Sequence, residues 1–416
     1  MRKSNLIYSL ALLSSLTAYS QKTLINHVTI HTGTGRVIEN GAVGIENGKI
    51  SYVGNSPGST QGYEHLIDGQ QAHLYPGIIA PNSTLGLVEI EAVRATRDAY
   101  EIGEFNPNVR SLIAYNAESD VTATAVTNGV LMAQISPRGG RISGSSSIVQ
   151  FKAWNWEDAA YVKDDGIHLE WPSAYSWSRN GLSKSKNYED QYREMVHFLE
   201  LAKAYNQEAS PLNDLRLAAM KGIFAGTQTL YVHAYAVKEL REAIQLKKTL
   251  DIPKMVLVGA YDAIQIVDEL KANNIPVILQ RVHSLPARAE DDVDLPYKLP
   301  FLLHKAGILV ALNNEGDMEQ AGVRNLPFYA GTAAAYGLSK EEALQTITIN
   351  TAKILGIDSR CGSVEVGKDA TLFISSGDAL DMRSNNLTHA WIKGESVNLS
   401  NRQMELYQKY KDKYKK

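Results

Sequence analysis

The sequence predicts an α/β protein with a small β-sandwich-like domain built from both ends of the chain. Two observations carry this expectation. In the middle of the chain, Met255–Val258 reads as a strand, Asp262–Leu270 has helical apolar spacing, and Ile275–Leu279 reads as the next strand. Such a strand–helix–strand unit implies parallel pairing. At both ends, by contrast, short alternating strands and turns follow one another without helices.

The elements follow in order. Arg2 and Lys3 precede an apolar run from Leu6 to Leu16, and Ala18-Tyr19-Ser20 offers small residues where a signal peptidase reads. Residues 1–20 are therefore expected to be a secretory signal peptide, too short to span a bilayer stably. Leu24–Ile30 alternates as a strand, Thr32–Gly35 turns, and Ala42–Ile45 leads through Glu46–Lys49 into Ile50–Val53. Asn47-Gly48 between these apolar runs is a strong hairpin signal. Trp154, Trp156, Trp171 and Trp177 gather between residues 154 and 212 with Tyr161 and Tyr175. That stretch reads as a long insertion, its aromatics packing it down or lining a pocket. A helix around Leu302–His304 leads into the strand Ile308–Leu312. Ser339–Glu342 forms a capping box for a helix through Ile347, and Asn350 is expected to cap a short helix through Leu355. Strands return over Gly362–Ile374 and His389–Gly394, and the Lys-rich tail 401–416 reads as a surface helix.

The chain has 416 residues, a net charge of -3 and 21% charged residues. Nothing in this balance points to nucleic acid or a membrane surface as a partner. A small-molecule or peptide ligand is expected instead. The single cysteine, Cys361, allows no intrachain disulfide and reads as a surface-turn residue. Export without disulfides fits a bacterial periplasm or a secreted protein.

Several segments resemble the amidohydrolase superfamily. Pro76–Gly86 is similar to its first barrel strand, Leu230–Ala234 to its fifth-strand Val-His-Ala, and Gly331–Leu344 to the entry of the helix after the last strand. Ile347–Gly356 and Gly362–Ala370 complete the likeness. The resemblance implies a TIM-like (β/α)8 barrel over residues 76–355, flanked by a small β-domain from residues 21–75 and 356–400. It also implies function at the C-terminal ends of the strands and hydrolysis of a C–N bond by water activated on zinc or another divalent metal.

The ligands carry over incompletely. The first-strand His-x-His falls on Asn82 and Thr84, and an amide and a hydroxyl are weak zinc ligands. Alternation along a strand would still aim both at the site, as substrate contacts. The fifth-strand histidine is His233. The sixth-strand segment Val258–Tyr261 has no histidine, and Glu315 stands where the eighth-strand aspartate is expected. His168 and Glu170 are the fourth-strand candidates. His233 and Glu315 are thus the catalytic candidates, with His283 as a third metal ligand. Ser136–Ser147, Gly/Ser-rich with Arg138 and Arg141, reads as a flexible loop. Arg141, Arg324 and Asn325 are added as substrate contacts. Glu89, Glu91, Arg94, Arg97 and Asp98 read as a solvated charge network. Two readings follow: a hydrolase with an altered or single-metal centre, or an inactive homologue that binds a ligand, forms a homo-oligomer or pairs with an active homologous subunit.

Overall fold

The computed structural model describes residues 22–57, 59–178, 181–208 and 213–415, so the expected signal segment lies outside the described residues. The N-terminal region supplies β1 (Thr23–His31), β2 (Val37–Glu46), β3 (Lys49–Asn55), β4 (His65–Asp68) and β5 (His73–Pro76). Asn47 and Gly48 join β2 to β3 with φ of 54° and 74°. Positive φ at both central residues gives the turn a twist that matches the flanking strands.

The central sheet is built from β6 (Ile78–Ser83), β7 (Val130–Ile135), β8 (Ile142–Gln150) and β9 (Ala160–Glu170). A small hairpin, β10 (Tyr175–Ser178) and β11 (Gly181–Lys184), stands apart. The sheet continues with β12 (Thr229–Ala234), β13 (Met255–Gly259), β14 (Val277–Leu279) and β15 (Val310–Leu312). Near the C-terminus, β16 (Leu372–Ser375), β17 (Leu387–Ile392) and β18 (Glu395–Ser396) join the N-terminal strands in one sheet, ordered β18-β17-β16-β5-β1-β2-β3 with β4 also on β1. Strands from both ends of the chain therefore share a core, which includes Ile25, Val43, Leu74, Leu372 and Trp391.

The central sheet runs β15-β14-β13-β12-β9-β8-β7-β6, eight strands forming a nearly closed barrel. Its ends are bridged by one segment: Leu312 N–H donates to Thr346 O at 3.1 Å, and Ile79 N–H to Ile347 O at 3.0 Å. Every neighbouring pair is parallel except those of β8, which runs against both β7 and β9. The link 136–141 is too short for a helical crossover, so the chain must reverse there. Alternation sorts the strand residues into two cores. Tyr231, Val256, Val258, Ile278 and Ala311 pack in the inner cluster, while Leu230, Val232, Leu257, Val277 and Leu279 pack in the outer one. Each of the Val, Leu and Ile side chains among them contributes about 1.5–3 kcal/mol by burial.

The Gly/Ser-rich segment is a flexible loop only in part, because Ser143–Ser147 lie buried in β8. Residues 154–212 are not one insertion: β9 and the helix Tyr188–Gln207 both fall inside it. The polar run Lys163-Asp164-Asp165 hides β9 from a reading by hydropathy. The Ser339 capping box forms, but its helix stops at Gln345. Thr348, not Asn350, is the N-cap of Ile349–Ile354, and Asn350 turns inward to donate to Val310 O at 3.2 Å. Cys361 is 2% exposed rather than at the surface. The tail is a helix, Arg402–Tyr414, with Asn401 capping it. Among the described residues, no helix is long and apolar enough to cross a membrane.

Candidate functional site

Inward-facing positions near the C-terminal ends of β9 and β12 place two histidines together. His168 Nδ1 lies 2.9 Å from His233 Nε2, and His168 stacks on Tyr231. They are 1% and 2% exposed. Burial, then the neighbouring His233 and Arg138, holds the His168 imidazole well below its usual range, so it is neutral. On the other edge of His233, Nδ1 faces Glu170 Oε1 at 3.4 Å and Glu315 Oε1 at 3.8 Å without a hydrogen bond. Tyr235 OH donates to Glu315 Oε1 at 2.6 Å, and Glu315 Oε2 is buried without a partner. Burial pushes the Glu315 carboxyl up. The adjacent His233, the Tyr235 hydrogen bond and the Arg138 charge outweigh it, leaving the group below the usual carboxylate range.

The first strand is organised differently. Asn82 takes a φ of 48°, with a register break between Ala80 and Ser83, so the alternation that would aim Asn82 and Thr84 alike fails. Ser83 and Thr84 instead converge on Glu319. Ser83 Oγ donates to Oε1 at 2.8 Å, Thr84 N–H to Oε2 at 2.7 Å, and the Thr84 hydroxyl to the same oxygen. Burial raises the Glu319 carboxyl against the opposing pull of Arg138 and the Thr84 and Ser83 bonds. Asn82 is fully buried, and neither side-chain polar atom has a partner; the same holds for Asn313 at 1% exposure. Arg138 reaches the Asn82 carbonyl at 2.8 Å.

Of the sequence candidates, His233, Glu315, His168 and Glu170 come together. Arg141 donates to the Glu170 carbonyl at 2.8 Å, beside them. His283 stands apart: its Nε2 pairs with Thr332 Oγ1 at 2.7 Å and its ring meets Tyr329 edge-on. Arg324 is exposed, and its carbonyl accepts from Asn128, just ahead of β7 and hence at the opposite end of the barrel. Asn325 sits beside it at the N-cap of Leu326–Ala335. Reading by sequence missed Tyr235 and Glu319, and placed Arg138 only in the Ser136–Ser147 loop. Tyr235 stands two residues past His233, and that spacing is the one signal that marks it. A cavity of about 420 Å³ opens beside this cluster, lined among others by Glu170, Trp171, Tyr175, Tyr235 and Tyr261.

The metal that the resemblance implies would need donors that this cluster does not offer. Thr84 is committed to Glu319, and His233 Nε2 to His168. At the sixth-strand end Gly259 has a φ of 84°, and any Cβ there would overlap the Tyr235 ring. A histidine at that position would displace the tyrosine that holds Glu315. Among the described residues no group of three His, Cys, Asp or Glu side chains is arranged to hold a metal ion. The donor set therefore does not fit the ion.

The amidohydrolase family model matches residues 218–397. The chain is similar to the crystal structure of an amidohydrolase from Thermotoga maritima, with 25% identity and a TM-score of 0.76, covering 90% of this chain and 99% of that one. A Xaa-Pro dipeptidase with methionine bound in its active site shares 15% identity at a TM-score of 0.58, over 91% of this chain and 100% of that one. A zinc-bound adenosine deaminase from Xanthomonas campestris shares 14% at 0.53, over 94% and 98%. No curated protein shows significant similarity. The family and the fold agree: this chain belongs to the amidohydrolase superfamily. Its neighbours include hydrolases that carry a dipeptidase or a deaminase name.

Proposed function

We propose that this protein binds a small polar ligand at its barrel mouth and does not use the metal-activated water of its superfamily. The supporting observation is the set of buried polar atoms around the mouth that make no hydrogen bond within the protein: both ends of the Asn82 and Asn313 amides, His168 Nε2, His233 Nδ1 and Glu315 Oε2. Leaving such groups unpaired costs about 1–3 kcal/mol each, a cost that a hydrogen-bonding ligand or water removes. The test is native mass spectrometry of the mature protein from its own host. A retained small molecule, lost in Asn82→Leu, is the expected result; a protein that retains nothing and gains no stability from any member of a polar metabolite panel contradicts the reading.

A second reading is favoured by Glu315, an ionised carboxylate with a free oxygen. It is metal-free hydrolysis of a C–N bond. Glu315 takes a proton from water, the hydroxyl attacks the carbonyl carbon, and the C–N bond breaks as the nitrogen receives that proton. Turnover of an amide substrate that is abolished in Glu315→Gln and unchanged by chelators would establish it. Export through the N-terminal segment and pairing with a homologous subunit belong to the same proposal. Fractionation of the native host and co-purification test them.

A further inference from the structure

We propose that the ligand of the barrel mouth is a small organic cation, an amine or quaternary ammonium, a statement that rests on the ligand-binding reading above. The cavity beside His233 has walls of two kinds. Four aromatic rings, Trp171, Tyr175, Tyr235 and Tyr261, line it, and three carboxylates, Glu170, Glu239 and Asp262, share its wall with one guanidinium, Arg288.

Two of those carboxylates are already used. Glu239 accepts the N–H groups of Ala174, Tyr235 and Ala236. Asp262 takes Arg288 through both oxygens, at 2.5 and 3.0 Å, and Arg288 also holds Asp291. Glu170 is not used: its carboxylate has only His233 Nδ1, at 3.4 Å, and its side chain is 38% exposed. Glu315 stands on the same nitrogen at 3.8 Å with a second, unpaired oxygen. The nearby guanidinia do not pair with either acid. Arg138 donates to the Asn82, Ser136 and Pro137 carbonyls, and Arg141 to the Glu170 carbonyl. Two carboxylates thus flank an unpartnered, nearly fully buried imidazole nitrogen, at the edge of an aromatic chamber large enough for a small ligand. Aromatic faces attract a desolvated cation, and an uncommitted carboxylate adds an ion pair.

Three probes of one shape and different charge test this: choline, its neutral isostere 3,3-dimethylbutan-1-ol, and the anion 3,3-dimethylbutanoate, titrated calorimetrically into the mature protein at pH 7.5. Choline is expected to bind at least about tenfold more tightly than the alcohol, with the carboxylate weakest. Glu170→Gln and Tyr235→Leu, checked for folding by circular dichroism, are each expected to weaken choline about three- to tenfold. Equal binding of alcohol and choline, or tighter binding of the carboxylate, overturns the cation while leaving a ligand-binding barrel standing. Choline binding unchanged in Glu170→Gln, or no binding of any of the three probes, overturns it as well.

Discussion

Replacing Glu319 by alanine removes the group that holds the end of β6. The carboxylate accepts from Ser83 Oγ at 2.8 Å, from Thr84 N–H at 2.7 Å and from the Thr84 hydroxyl. All three residues are at most 6% exposed, so water does not replace it freely. A buried donor left without a partner costs about 1–3 kcal/mol. The two hydroxyls can turn to other acceptors, but the Thr84 N–H cannot, so Glu319→Ala is expected to cost about 3–5 kcal/mol. Glu319→Gln keeps the shape and one acceptor oxygen and should cost about 1–2 kcal/mol. Burial raises the folded-state acid above its usual value of 4.5. Its contribution is therefore fully present below the unfolded pKa and lost as pH rises through the folded one. Urea unfolding at pH 4 and pH 7 reads both effects. The penalty of Glu319→Gln should be larger at pH 4. A Glu319→Ala protein within about 1 kcal/mol of the wild type at both pH values would refute the clamp.

Further outcomes follow from the same geometry. Gly259→Ala forces a Cβ into the Tyr235 ring at a φ of 84° and should cost about 2–4 kcal/mol in urea unfolding; a smaller loss would mean that Tyr235 moves freely. Glu315 is the opposite of Glu319, with a depressed folded pKa. Its carboxylate stabilises above the unfolded value and loses that contribution as pH falls through the folded one, so Glu315→Gln should be destabilised at neutral pH and converge with the wild type in acid. Burial pushes the Cys361 thiol up to about 12. It should resist thiol reagents in the native state and react only on unfolding, as mass spectrometry of the adduct would read. His233→Ala leaves His168 Nδ1 without its partner and should cost about 1–3 kcal/mol by urea unfolding.

Much of the fold was legible because it rests on local patterns. Asn47-Gly48 specifies its turn by backbone chemistry alone, and Met255–Val258 with Ile275–Leu279 are apolar runs of strand length. What escaped depends on contacts distant in sequence or on polar strands. The antiparallel β8 is rich in serine, and its burial comes from Gln134 and Asp165 on neighbouring strands, which bond Ser146. His233 and Glu315, which the fold brings within 3.8 Å of each other, stand out in the sequence because their neighbours resemble family motifs. Glu319 does not, because its partners Ser83 and Thr84 lie more than two hundred residues away. The same clamp explains why alternation misplaced Thr84: a left-handed Asn82 turns the strand end before the threonine is reached.

Elemental mass spectrometry of the protein purified without chelators, before and after adding back zinc and manganese, tests whether the barrel mouth holds its ligand without a metal. Bound metal well below one equivalent in both cases, with no rise in thermal stability on addition, is the result expected from the committed donors at Thr84 and His233 and the glycine at position 259. Near-stoichiometric metal that falls in His233→Ala would contradict the account and return the chain to metal-assisted hydrolysis.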